Sequence, residues 1–106
     1  MIGRIHFHHN YLMYYVYIIA LSNNTLYTGS TDDMRRRIKE HDGGKVNSTK
    51  HKRPLHLIHY EAYLLKSDAA RREKYLKTTE GKRFLRQQIK DLLISRQYQY
   101  DAGGIA

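Results

Sequence analysis

Apolar residues run almost unbroken from Met13 to Leu21, and the run is rich in β-branched and aromatic side chains. That composition suits a strand, and Ser22-Asn23-Asn24 supplies the turn after it because Asn tolerates positive φ. Thr25-Leu26-Tyr27-Thr28 reads as a second short strand ending at Gly29, so the two form a hairpin. The period then changes. Met34 and Ile38 stand four apart, Asp32 or Asp33 can cap, and a helix is predicted to about His41, stopped by Gly43-Gly44. A polar, basic loop from Lys45 to Arg53 leads to Pro54, and Leu55–Leu64 reads as a third strand. Ser67 is expected to cap a second helix whose inward residues are Ala69, Ala70 and Tyr75 or Leu76. Gly81 separates it from a third helix with Phe84, Leu85, Ile89, Leu92 and Leu93 at helical spacing.

The order β-β-α-β-α-α is a sensible single-core architecture of the α/β (α+β) class, a hairpin joined to a third strand with helices packed on the sheet. Residues 1–12 read as an extension, 13–95 as the domain and 96–106 as a frayed tail. His6, His8 and His9 in the extension are read as incidental, since short His tracts bind metals loosely and no fourth ligand is evident. Met13, where the domain begins, is read as the biological start. Deleting residues 1–12 is then expected to leave the melting temperature and activity unchanged.

At 106 residues the chain has room for one compact domain, and it has no cysteine for a disulfide. With no apolar run approaching the roughly 18–20 residues of a membrane span, and no secretion signal, a soluble cytoplasmic protein without a membrane partner is the default expectation. Charge changes the picture more. Nineteen Lys and Arg oppose ten Asp and Glu, for a formal +9. Seventeen of the nineteen fall within residues 34–53 and 66–90. A field of that sign concentrates polyanions and releases their counterions on contact, which favours a nucleic-acid partner over a merely solubilising surface.

Cutting a phosphodiester requires proton removal from water, a cation to offset phosphoryl charge, and groups that hold the strand in line. Tyr17 and Tyr27 lie on adjacent predicted strands. Arg37 and His41 are i and i+4 on one helix face. Glu73 sits within the basic run Arg71-Arg72-Glu73-Lys74. Each also has a plain structural reading: packed tyrosine rings, a solvated arginine, a histidine at a helix C-terminus, and a surface ion pair at Glu73.

In register, these residues resemble the GIY-YIG nuclease family. Val16-Tyr17-Ile18 stands at its first triplet and Tyr27-Thr28-Gly29 at its second. The likeness continues through Gly29–His41, Arg53-Pro54, Tyr60-Glu61-Ala62-Tyr63, Arg71–Thr78 and Gly81-Lys82-Arg83-Phe84, which looks like the small single-domain bacterial branch. The resemblance implies a three-stranded antiparallel sheet flanked by helices, and a DNA endonuclease using one divalent cation, Mg²⁺ or Mn²⁺. It implies that Tyr17 helps activate water, Tyr27 positions water or phosphate, Arg37 stabilises phosphate charge and Glu73 holds the metal. His41, at a position where relatives vary between Tyr and His, is the easier general base, with a reference pKa near ~6.5 against ~10 for Tyr. Ser30 stands where some relatives have Lys. DNA contacts are expected from Arg36, Lys50, Lys52, Arg53, Arg71, Lys74, Lys77 and Lys82. The DNA is single-stranded, duplex or branched, RNA being the weaker option, and a protein partner can supply specificity. The rival reading is a non-catalytic nucleic-acid-binding module using the same basic and aromatic surface.

Overall fold

The computed structural model describes residues 12–99. The extension with its histidines, apart from Leu12, and residues 100–106 lie outside the described residues. Strand β1 (Tyr14–Ala20) is the middle of a three-stranded sheet, ordered β2-β1-β3, and pairs antiparallel with both β2 (Leu26–Thr31) and β3 (His56–Tyr63). A central strand covered on both faces has no polar side, which is why Val16 to Ala20 are all buried and the sequence there does not alternate. The turn after β1 has the expected Asn at positive φ, Asn24 at 65°. Its backbone closes with Leu21 N donating to Thr25 O at 2.9 Å.

β2 does not end at Gly29, as the sequence suggested, but runs on to Thr31. Gly29 is an interior strand position opposite Tyr17. In a strand interior, glycine marks a close approach as readily as an end.

Helix α1 (Met34–Asp42) is capped by Asp33, whose carboxylate accepts from Arg36 N at 3.1 Å. Asp32, the alternative cap, instead pairs with the Arg36 side chain at 3.3 Å. Gly43 caps the other end, and Gly44 follows at φ 74°. The basic loop then folds on itself, with Thr49 N and Lys50 N both donating to Val46 O, and Val46 and Thr49 are buried. Tyr17, Ile19, Leu21 and Leu55 form the core cluster, with Tyr27, Met34 and Ile38 packed against it.

Helix α2 (Lys66–Leu76) starts one residue before Ser67, so Ser67 is not its cap; the N–H groups of Asp68 and Ala69 bond to Leu65 O instead. Ala69 and Leu76 are buried as expected, Tyr75 is half-buried and Ala70 is exposed. The chain divides after Glu73 into two compact units. In the second, the expected single third helix is two, α3 (Thr79–Gln88) and α4 (Lys90–Gln99), so the order is β-β-α-β-α-α-α. The break is at Ile89, whose φ of −107° and ψ of 30° leave the helical range. Gly81 is not a separator. It lies in the first turn of α3, donates to the Thr78 cap at 3.0 Å, and a Cβ there would collide with the Tyr75 carbonyl. Leu85 and Ile89 are buried and Leu92 and Leu93 half-buried, whereas Phe84 is 45% exposed and stands off the apolar stripe. α4 continues through Gln99, over the start of the stretch read as a tail. No described helix is long and apolar enough to cross a membrane.

One polar cluster fixes α2 to the sheet. Glu61 on β3 accepts from Arg72 Nε at 2.9 Å, from Arg72 Nη2 at 3.2 Å and from the Tyr63 hydroxyl at 2.7 Å, with His59 Nε2 at 3.2 Å. Burial opposes ionisation of Glu61, but the hydrogen bonds from Arg72, Tyr63 and His59 outweigh it and hold the carboxyl below the usual glutamate range. Burial, then the Glu61 hydrogen bond, pushes Tyr63 up to about 12, so it stays a donor. A carboxyl that is more acidic when folded contributes stability that is complete above its unfolded pKa and lost as pH falls through its folded one. Glu61→Gln is therefore expected to cost roughly 1–3 kcal/mol at pH 7. The gap between variant and parent should narrow toward pH 3, as read by urea denaturation at both pH values.

Candidate active site

The site begins with a tyrosine that the core has absorbed. Tyr17 is 0% exposed, yet its hydroxyl lies over β2, against Gly29. A Cβ at position 29 would collide with that oxygen, so only glycine lets the ring lie there. This is the physical content of the glycine in Tyr27-Thr28-Gly29. The cross-strand register pairs Tyr17 with Gly29 and Ile19 with Tyr27. Tyr17 and Tyr27 thus share a sheet face, with ring centroids 6.3 Å apart.

α1 lies over the same face. Its Arg37 donates from Nε to the Tyr17 hydroxyl at 3.4 Å and from Nη1 to Glu40 at 3.0 Å. His41, one turn further and also 0% exposed, places Nε2 2.8 Å from the Tyr17 hydroxyl. Its Nδ1 lies 2.8 Å from Thr49 Oγ1 in the basic loop. The predicted i, i+4 pair therefore converges on one phenol. Tyr27 meets the His41 ring edge-on at 5.3 Å, is partly exposed, and its hydroxyl bonds to no other described residue. Burial pushes the Tyr17 pKa up, helped by Tyr27 and Glu73, while the Arg37 hydrogen bond and charge pull it down. Burial, then the charge of Arg37, lowers His41, against smaller opposing effects of Asp42 and Glu40. His41 is consequently neutral at pH 7, with one ring nitrogen able to accept a proton.

Glu73 approaches from α2. Its carboxylate accepts from Ser30 Oγ at 2.6 Å, immediately after Gly29, and its charge is felt at Tyr17. The neighbouring Arg72–Glu61 bonds hold this part of α2 against the sheet. Among the described residues, no three His, Asp or Glu gather into a metal cage. A lone carboxylate still suits Mg²⁺ or Mn²⁺, since Mg²⁺ keeps several waters and is commonly held by one or two carboxylates plus phosphate oxygens.

A cleft of about 480 Å³ runs beside these groups, lined by Tyr15, Ser30, Thr31, Arg36, Arg37 and Lys66 among others. Arg37 links the two, lining the cleft and bonding to buried Tyr17. Of the predicted DNA contacts, Arg36 joins the cleft while paired with Asp32, and Arg71 is exposed and paired with Asp68 at 2.9 Å. Lys50 is half-buried and Lys52 exposed. Arg53 donates to the carbonyls of Lys50 and Asp42, both at 3.0 Å, and so ties the basic loop to the end of α1. In the second unit Lys74, Lys77 and Lys82 are exposed. Sequence reasoning did not find Thr49, Ser30 as a partner of Glu73, or the Arg72–Glu61 anchor. Only Ser30 carried a signal, its place directly after the second triplet.

The model of the GIY-YIG catalytic domain matches residues 13–87. The UPF0213 proteins of Staphylococcus aureus strains Mu3 and N315 are each 39% identical to this chain over 74 residues, covering 69% of it and 90% of their own length. The solution NMR structure of a UPF0213 protein from Bacillus halodurans is 34% identical, covers 72% of this chain and 84% of its own, and superposes with a TM-score of 0.48. With a match over most of its length, and with Tyr17, Tyr27, Gly29, Arg37 and Glu73 all inside it, the chain belongs to the GIY-YIG catalytic domain family.

Proposed function

We propose that this chain is a divalent-metal-dependent endonuclease that hydrolyses DNA phosphodiester bonds. The observation that carries the reading is the convergence of Arg37 and His41 on the Tyr17 hydroxyl, near Glu73 and beside a cleft lined by Arg36, Arg37 and Lys66 together with Asp32 and Glu40. GIY-YIG domains are associated with endonucleases, which act on DNA and generally use a divalent metal.

In this reading the scissile phosphate enters the cleft and meets Arg37, which has five N–H groups and spends two on Tyr17 and Glu40. Its bond to Tyr17 is long, at the limit of a useful hydrogen bond, so turning toward a phosphate costs little and uncovers the phenol. Tyr17 then takes a proton from the attacking water while passing its own to His41 Nε2, so neither a free phenolate nor an imidazolium has to exist beforehand. Tyr27, whose hydroxyl bonds to no other described residue, orients the water or phosphate. Glu73, steadied by Ser30, would hold the cation, which when bound offsets charge on the phosphoryl and leaving oxygens.

The complete burial of Tyr17 and His41 favours a second reading, a binding module in which the triplets are only core. Cleavage of labelled single-stranded, duplex and branched DNA separates the two. With Mg²⁺ or Mn²⁺ present, cutting is expected that EDTA stops and that Glu73→Ala and Arg37→Ala each reduce by about 10²–10³ fold. Glu73→Ala should retain or improve DNA binding. Salt-sensitive binding without cutting on every substrate would favour the module. The pH profile adds an independent check. Protonating His41 removes its acceptor, so kcat/KM should fall on the acid side with a midpoint below the ordinary imidazole value of ~6.5. A midpoint at or above that value would contradict the role given to His41.

A further inference from the structure

Thr49 bonds to the imidazole nitrogen that faces away from Tyr17. It is 0% exposed, and its Oγ1 lies 2.8 Å from His41 Nδ1, while Nε2 lies 2.8 Å from the Tyr17 hydroxyl. A neutral imidazole has one N–H and one lone pair, so these two contacts cannot both be donated by the ring. The relative acidities decide the direction, and Arg37 adds to them only weakly, through a long N–H contact to the Tyr17 oxygen at 3.4 Å that makes this oxygen a slightly poorer acceptor and better donor. Phenol is far more acidic than an alcohol, and imidazole nitrogen is a better acceptor than a phenol oxygen.

We infer that Thr49 is a positioning residue that accepts from His41 Nδ1–H, fixing the tautomer in which Nε2 is the acceptor for the Tyr17 proton. The chain of donation then runs one way, from Arg37 to Tyr17 to His41 to Thr49. When His41 takes the Tyr17 proton both ring nitrogens carry N–H, and the Nδ1 bond to Thr49 strengthens as charge arrives. The groups facing His41 are Tyr17 and Tyr27 from the strands, Arg37, Glu40 and Asp42 from α1, and Thr49 from the loop. Among these, only Thr49 contacts Nδ1 by a hydrogen bond. The backbone around it is held independently, with Thr49 N donating to Val46 O at 3.1 Å and Lys52 N donating to Thr49 O at 2.9 Å, so replacing the hydroxyl by a methyl does not by itself release the loop.

This inference rests on the nuclease reading for its kinetic consequence but not for its geometry, and two measurements keep them apart. Long-range ¹H–¹⁵N NMR of the histidine-labelled chain at pH 7.5 reads the His41 tautomer directly. The wild type and Thr49→Ser are expected to show Nδ1 protonated, and Thr49→Val to show a mixture or the Nε2–H form. In single-turnover DNA cleavage with Mg²⁺, Thr49→Val should lose about tenfold in rate at unchanged KM for DNA, and Thr49→Ser should restore most of it. An Nε2–H form in the wild type overturns the inference, as does Thr49→Val with the wild-type tautomer and rate. The expected tautomers in a chain that cuts no DNA would support the role of Thr49 while overturning the nuclease reading.

Discussion

The closeness of the Tyr17 hydroxyl to Gly29 is the constraint on which the rest of the site depends. A tyrosine hydroxyl packed over β2 at this point requires a strand neighbour with no side chain, and Gly29 supplies it at the position opposite Tyr17. Given that, α1 needs only to place two residues, one turn apart, over one oxygen. Arg37 and His41 do so because Asp33 sets where the helix starts and Gly43 where it stops. The polar atoms at the centre are mutually satisfied, and no buried side-chain polar atom among the described residues lacks a partner. A network in that condition stabilises the core while holding its own members in place, so stability and chemistry draw on the same bonds.

Glu73 depends on a different set of contacts. α2 is held to β3 through Arg72 and Glu61, and Ser30 reaches Glu73 from β2. Val16, Ser30 and Glu61 align across the three strands on the face opposite Tyr17. Ser30, which holds the carboxylate, and Tyr17 thus lie toward opposite faces of the sheet, and Ser30 and Arg37, their respective partners at Glu73 and the phenol, both line the cleft. Under the proposed function a phosphate there would meet Arg37, and Glu73 would hold the cation that offsets charge on the phosphoryl and leaving oxygens.

Much of this was legible in the residues. The nearly unbroken Met13–Leu21 run announced a strand, though not its central place in the sheet, and the two tyrosine triplets, Arg37 and His41 fell on the elements they were expected to occupy. The end of β2 was misjudged because Gly29 resembles a terminator until its cross-strand neighbour is known. The cap of α2 and the break at Ile89 were not visible for the opposite reason: each is set by backbone geometry that ordinary residues adopt without a marker in the sequence. Thr49 is the clearest limit. It lies in a polar loop among Asn47, Ser48 and Lys50, and nothing local distinguishes a threonine that faces water from one that bonds to a buried imidazole. Only the fold of the loop over α1 separates them.

The central claim is that the buried phenol takes part in the reaction and is not merely core. Its most direct test is Tyr17→Phe, which removes one oxygen and keeps the ring packed, in single-turnover cleavage of DNA with saturating Mg²⁺, alongside thermal melting and DNA affinity. The expected result is a rate lower by about a hundredfold or more with affinity unchanged, and a melting temperature that falls, because buried His41 Nε2 loses its partner, but stays above the assay temperature. A variant that cuts as fast as the parent would contradict it and leave Tyr17 a structural residue.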